Sequence, residues 1–422
     1  MAGKDENSAP LPPMDSAPGQ RFAVAGTLVT EGEQLPDAIV AVDGDRIEFA
    51  GPAAVFAERD DAGSYAGIPL DDDALLIPGL IDLHCHGGFG VDFSTADDVE
   101  LRESLTRHYN AGTTTLLASL MAAAEDEMLA AAERLSPLVA EGLIAGIHAE
   151  GPFLSAARNG AQPAAALRDP DPDFVEELVA TCQGSLRTMT YAPELPGADG
   201  LVEQLVSHGV IPSLGHTGAT AEQTTASLEL VLEELESAGF DGYTETPTIT
   251  HVFNGMPPWH HRSPGPVGAS LEAAALGRAV LEIIGDGHHL HPQTLRMLFA
   301  TLPPTALALV TDATAATDMP DGDYRLGGQQ ARLKNSVLRT DNGQLAGGSA
   351  TLLACVRACV GAGVPLQRAL TAATTVPAAI LGLEDEIGAL HAGYRADILV
   401  TDQDLGLITA FRSGQAVGAT RS

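Results

Sequence analysis

Six polar residues stand where apolar runs of this chain end: His84 and His86 after "IPGLIDL", Glu150 after "LIAGIHA", His216 after "GVIPSLG", His251 after "TPTIT" and Asp312 after "ALALVT". Neutral imidazole nitrogens and carboxylate oxygens are the ligands that hold a divalent ion in a hydrolytic site. His84 and His86 are two apart, so on an extended strand both project from one face, while Cys85 between them points to the other. That spacing lets two imidazoles bind one ion at roughly 2.0–2.1 Å. A His-x-His alone also describes a hydrogen-bonded pair; the other four residues turn it into a metal inventory.

For residues so far apart in sequence to meet, the chain must bring its strand ends to one place. Eight strand candidates lie between Leu75 and Ala313: "LLIPGLIDLHCH", "TTTLLASL", "LIAGIHAE", "LRTMTYAP", "GVIPSLGH", "TPTITHV", "AVLEIIGDG" and "ALALVTDA". Most of them are continuous apolar runs, as parallel strands buried on both faces should be. Ala- and Leu-rich helical stretches such as "DEMLAAAERLSPLVAEG" separate them. This pattern predicts an α/β fold, a (β/α)8 TIM-type barrel whose C-terminal strand ends share one mouth. The flanks read differently. "RFAVAGTLVT" and "DAIVAVDGDRIEFAGP", with a turn at Asp43 and Gly44, and "ADILVTDQDLGLITAFRSGQAV" are short strands without helices. They predict a small β-sandwich domain built from both chain ends, residues 21–76 plus 388–422, around a barrel over 77–387. Residues 1–20 are polar and proline-rich and read as a disordered tail, with no apolar signal or membrane-spanning segment.

The net charge of −34 argues against nucleic acid and anionic membranes as partners. An anionic substrate then needs a local cationic pocket. Only Lys4 and Lys334 are lysines. Cys85, Cys182, Cys355 and Cys359 form no disulfide framework and read as reduced thiols in a cytoplasmic protein; Cys355 and Cys359 share an apolar helix stripe with Leu352 and Val356, which reads as core packing.

"PGLIDLHCHG", "HAEGPFL", "LGHTGAT", "THVFNGM", "IGDGHH" and "VTDAT" resemble the ordered motifs of the amidohydrolase superfamily. "HAEGPFL" with "THVFNGM" and "PGPVGA" resembles, within it, the N-acetylglucosamine-6-phosphate deacetylases. Many superfamily members bridge two metals with a carboxylated barrel lysine; neither lysine here is placed for that, and Glu150 is the carboxylate at the right strand end. The resemblance implies that Glu150, His216 and His251 hold one ion and that His84, His86 and Asp312 can hold a second. Zinc is the expected metal, with iron and manganese as alternatives.

The implied reaction removes the acetyl group from an amino-sugar phosphate, N-acetylglucosamine 6-phosphate. A divalent ion activates water and polarises the amide carbonyl, so no seryl or cysteinyl nucleophile is needed. Asp312 is implied as the general base that later returns the proton to the amine. Arg262 matches the family's phosphate-binding arginine and His289 its substrate-binding histidine, while Asn254 and Gly255 can donate hydrogen bonds to the same phosphate. His260, His261, His288 and His291 have no such counterpart. The family arginine often crosses a subunit boundary, which implies a homodimer. One position departs: where the family carries "GAH", with a histidine that polarises the carbonyl, "GAQ" places Gln162, which can donate a hydrogen bond but carries no proton or charge. Two other readings are a deacetylase of another N-acetyl hexosamine phosphate and a catalytically silent barrel that binds metal or sugar phosphate.

Overall fold

The computed structural model describes residues 21–30, 34–70, 73–239 and 246–417. The tail expected over 1–20 and the end of the small domain, 418–422, lie outside them. Eight parallel strands follow one another around a barrel: β1 (Leu80–Cys85), β2 (Thr113–Met121), β3 (Gly146–Glu150), β4 (Leu186–Tyr191), β5 (Ile211–Leu214), β6 (Thr248–Ile249), β7 (Val280–Ile284) and β8 (Leu307–Val310). The seam between β8 and β1 is joined at the mouth, where Asp312 N donates to His84 O at 2.9 Å and His86 N to Ala313 O at 2.7 Å. Helices follow each strand and cover it, among them Asp98–Asn110, Glu125–Ala140, Ala221–Ala238 and Leu352–Gly361. β2 is buried along its whole length, which is why its sequence does not alternate. Helix starts are written locally: Asp97 accepts from Val99 N and Glu100 N while Glu100 returns a bond to Asp97 N, a reciprocal cap that fixes where Asp98–Asn110 begins.

The run "LLIPGLIDLHCH" is divided rather than one barrel strand. Leu75–Pro78 pairs with Ile398–Thr401 in the second sheet, and only Leu80–Cys85 enters the barrel. Gly79 is the crossing point, and a Cβ there would lie 2.2 Å from Thr114 Oγ1 and 2.9 Å from Asp397 Cβ. The second sheet is eight-stranded and holds the first and last described strands of the chain, with Gln415–Val417 at one edge and Arg46–Pro52 at the other. It is one continuous sheet folded over on itself. Phe22 and Phe411 sit three strands apart along it, about 14 Å if it were flat, yet their rings stack at 4.8 Å. Val24, Val40, Leu76, Ile398 and Val400 fill the fold between its halves, giving the sandwich its core.

A three-stranded antiparallel sheet, Gly322–Leu326, Gln329–Lys334 and Val337–Thr340, follows β8 and lies over the barrel mouth. Leu326, Leu333 and Leu338 pack there with Met121 and Ala316, each burial contributing roughly 1.5–3 kcal/mol. Gln329 Nε2 ties this cover to Ala161 O at 2.9 Å, and Gly327 N ties it to Asp92 Oδ2 at 2.8 Å. Among the described residues no helix is long and apolar enough to cross a membrane.

Candidate metal centre and active site

All six strand-end residues meet in the barrel mouth. Glu150, leaving β3, is the hub: Oε1 lies 3.0 Å from His216 Nε2 and 2.8 Å from His251 Nε2, and Oε2 lies 3.1 Å from His86 Nε2. Asp312 Oδ1 stands 3.4 Å from both His84 Nε2 and His86 Nε2. Ligand atoms lie within 4.8 Å of one another in two overlapping groups, His84–His86–Asp312 and His84–Glu150–His251. The first group is the expected second-ion set. In the second His84 stands where His216 was expected, although His216 remains on the same carboxylate oxygen as His251.

Backbone geometry at the strand exits is unusual. His216, His251 and Asp312 have φ of 45°, 26° and 50°, a region that costs a non-glycine residue roughly 1–3 kcal/mol. Gly255, at φ 62°, approaches so closely that a Cβ would lie 2.7 Å from His216 Nδ1.

These residues fit a divalent cation on a specific ground. His84 Nε2 and His86 Nε2 face each other at 3.0 Å. Their Nδ1 atoms face acceptors, Glu282 Oε2 at 3.4 Å and Ser119 O at 3.2 Å. An imidazole whose Nδ1 donates presents a lone pair at Nε2. Two lone pairs and two carboxylates then point into one buried space, which a proton or a cation must occupy. The pKa shifts report the same field in its protonated form. Burial pushes the His86 imidazole down, but Asp312 and Glu150 outweigh it and hold it at about 9. His84 is likewise raised well above an ordinary imidazole, the carboxylates of Glu150, Glu282 and Asp312 overcoming its burial. Burial pushes Asp312 up, and the His86 and His84 imidazoles bring it down to about 2. Protons held this way are those a metal ion displaces.

Beneath the cluster runs a floor of side-chain hydrogen bonds. Ser119 Oγ meets His148 Nδ1 at 2.9 Å, His148 Nε2 meets Thr190 Oγ1 at 2.7 Å, and Thr250 Oγ1 links Thr190 to Ser213 at 2.8 and 2.6 Å. Burial holds the His148 imidazole well below its ordinary pKa, so this ring is neutral.

Above the cluster opens a cavity of about 320 Å³, bounded by Asn254, Gly255, His289, Gln162 and Asp312 and roofed by Leu326, Gln344 and Leu345 of the covering segment. His289 Nδ1 is held by Asp286 Oδ2 at 2.8 Å. Gln162 is buried; its Nε2 donates to Glu150 Oε2 and its Oε1 accepts from Ala122 N at 2.9 Å. Arg262 does not reach this cavity. It is exposed in a loop with Trp259, its Nη1 2.9 Å from His261 Nε2. His260, His261, His288 and His291 are exposed, and His291 accepts from Gln293 N at the start of helix Pro292–Thr301. Cys85 turns away from the cluster toward Gly87 O and His108.

Three contributors were not found in the sequence. Arg158, half-buried, is the one Arg or Lys bounding the cavity among the described residues, and its Nε is buried with no hydrogen-bond partner. Its signal was its distance from Glu150, within the loop that carries Gln162. Glu282 was visible as a lone acid inside "AVLEIIG". The covering segment left little trace beyond short alternation in "DYRLGGQQARLK".

A model described as the amidohydrolase family matches residues 75–417. The chain is 34% identical over 350 residues to an N-acetylgalactosamine-6-phosphate deacetylase of Escherichia coli O157:H7, covering 82% of this chain and 88% of that one. It is 32% identical over 396 residues to an N-acetylglucosamine-6-phosphate deacetylase of Vibrio furnissii, covering 92% and 93%. Among solved structures it is similar to a point mutant of the N-acetyl-D-glucosamine-6-phosphate deacetylase of Mycobacterium smegmatis in complex with N-acetyl-D-glucosamine 6-phosphate, with 36% identity, a TM-score of 0.84 and coverage of 94% and 100%.

Proposed function

The chain belongs to the amidohydrolase family, and from that premise we propose that it is a metal-dependent deacetylase that hydrolyses N-acetylglucosamine 6-phosphate to glucosamine 6-phosphate and acetate. The observation that carries this reading is the buried cluster of His84, His86, Glu150, His216, His251 and Asp312 beside a cavity. Glu150 with His216 and His251 would hold one divalent ion, and His84, His86 and Asp312 a second, zinc being our assignment. When bound, such an ion supplies Lewis-acid polarisation of the amide carbonyl and a more acidic water.

The rest falls to the chain. Asp312, kept ionised by its imidazole neighbours, takes a proton from the attacking water and returns it to the departing amine. Gln162 has one amide hydrogen committed to Glu150 and retains the other for the carbonyl oxygen. His289, oriented by Asp286, and Asn254 with the Gly255 backbone contact the sugar phosphate. Arg158 brings a guanidinium to the cavity of an acidic protein, where an anionic substrate needs one. We assign Arg262 to the site of a second subunit, since its exposed loop with Trp259 lies outside its own cavity; the active form is then a homodimer. The four buried, unpaired thiols support a cytoplasmic setting.

The Escherichia coli relative acts on the galactosamine epimer, so that substrate is the specific second reading. Acetate release from the 6-phosphates of N-acetylglucosamine and N-acetylgalactosamine, and from unphosphorylated N-acetylglucosamine, tests both. N-Acetylglucosamine 6-phosphate should give the highest kcat/KM and the neutral sugar a far lower one. A preference for the neutral sugar, or no acetate from any of the three, would overturn the proposal.

A further inference from the structure

Glu282 is a carboxylate inside the barrel that the deacetylation chemistry does not use. It projects from β7 and is 3% exposed, with Oε2 3.4 Å from His84 Nδ1. The other nitrogen of that ring, Nε2, faces His86 Nε2 at 3.0 Å and Asp312 Oδ1 at 3.4 Å. Glu282 therefore stands behind the imidazole, on the side away from the ligand cluster. A carboxylate only accepts, so Nδ1 donates and the Nε2 lone pair is turned into the cluster.

The other imidazoles are backed differently. His86 Nδ1 meets the Ser119 carbonyl at 3.2 Å and His216 Nδ1 the Arg158 carbonyl at 2.8 Å, both uncharged, while His251 Nδ1 is buried with no hydrogen-bond partner. Of these four ligand imidazoles, only His84 has an acid behind it. Charge balance gives this a purpose. Two divalent ions would bring four positive charges into a buried space, and among the described residues no lysine stands there to supply an anionic bridge, since Lys334 is exposed on the covering sheet. Glu150 and Asp312 would face the ions directly, and Glu282 is a third carboxylate, placed behind the His84 imidazole.

We propose that Glu282 is the positioning residue of the second ion: it fixes the His84 tautomer and adds the negative charge that lets His84, His86 and Asp312 retain a second divalent cation. This rests on the two-ion reading of the site and not on the identity of the substrate.

Zinc titration of the metal-free full chain by calorimetry with chelator competition, comparing wild type, Glu282→Ala and Glu282→Gln, tests it. The wild type should bind two ions. Glu282→Ala should weaken the second by about 10–100-fold, the usual effect of losing such a partner, with the first ion unchanged. Glu282→Gln keeps an acceptor for Nδ1 without the charge, and its loss should be measurable but no larger than that of Glu282→Ala. If the alanine variant does not fold, the isosteric glutamine variant carries the test alone. A single ion in the wild type, an unchanged second affinity in the variants, or an equal fall for both ions would overturn the proposal. Because no turnover is read, a protein that shows the second-ion effect yet releases no acetate would refute the substrate reading alone.

Discussion

Replacing Gln162 by alanine separates its part in holding the site from its part in the reaction. The side chain bridges the Ala122 backbone N–H and Glu150, both buried. Truncation leaves Ala122 N without an acceptor, which costs roughly 1–3 kcal/mol. A protein of 422 residues has an unfolding entropy of about 0.9 kcal/mol/K, so the melting temperature should fall by only about 1–3 °C. The kinetic loss should be much larger. Removing one hydrogen-bond donor from a developing oxyanion costs about 10²–10³ in kcat, and since a bound cation shares that task we expect the lower end, about 10²-fold. The assay is the initial rate of acetate release at saturating substrate, with metal content and a thermal melt measured on the same samples. A kcat within twofold of wild type, with the melt shifted as expected, would refute the role at the carbonyl and leave Gln162 as a strut. A kcat that falls only in proportion to lost metal would mean that Gln162 acts through Glu150.

Other expectations follow from the same geometry. Asp312→Asn should lower kcat by about 10²–10⁴, the range for a lost general base, and weaken the second ion; an unchanged rate would remove Asp312 from the reaction. Arg262→Ala should raise KM for phosphorylated substrates only, and mixing it with Asp312→Asn should regain activity through hybrid dimers that pair one intact Asp312 with the other chain's Arg262; no gain on mixing would place Arg262 elsewhere. In the metal-free protein His86 titrates at about 9 against about 6.5 unfolded, so its contribution to stability is fully present below about 6.5 and is lost as pH rises through about 9. The melting temperature of the metal-free protein should carry that loss, and metal affinity should rise with pH by up to about tenfold per unit for each proton displaced. An affinity independent of pH between 6 and 9 would contradict the protonated cluster.

Much of this centre was legible because a parallel barrel exposes polar residues chiefly where strands end. His84, Glu150, His216, His251 and Asp312 each interrupt an apolar run, and a run that stops at a ligand is a strong local signal. What escaped was whatever depends on three-dimensional approach. From Leu75 to Ile81 no charged residue interrupts the run, and Pro78 with Gly79 is its one punctuation; the change of sheet falls there, where Gly79 closely approaches Thr114 and Asp397. Glu282 has the texture of a strand defect until His84 is placed before it. Arg158 is an ordinary loop arginine until the barrel folds its loop over the metal ligands. The covering sheet is short, its outer face is polar, and its inner leucines find their partner in Met121, some 200 residues earlier. Arg262 shows the converse: its motif was legible, but a single chain leaves it outside the cavity.

The most direct test is a zinc titration of the metal-free chain that reads acetate released from N-acetylglucosamine 6-phosphate at each step. Acetate release should be absent without metal and should rise with zinc bound at the Glu150 cluster, with Glu150→Gln flat throughout. Full activity in the rigorously metal-free protein, or none at full occupancy, would contradict a metal-dependent deacetylase.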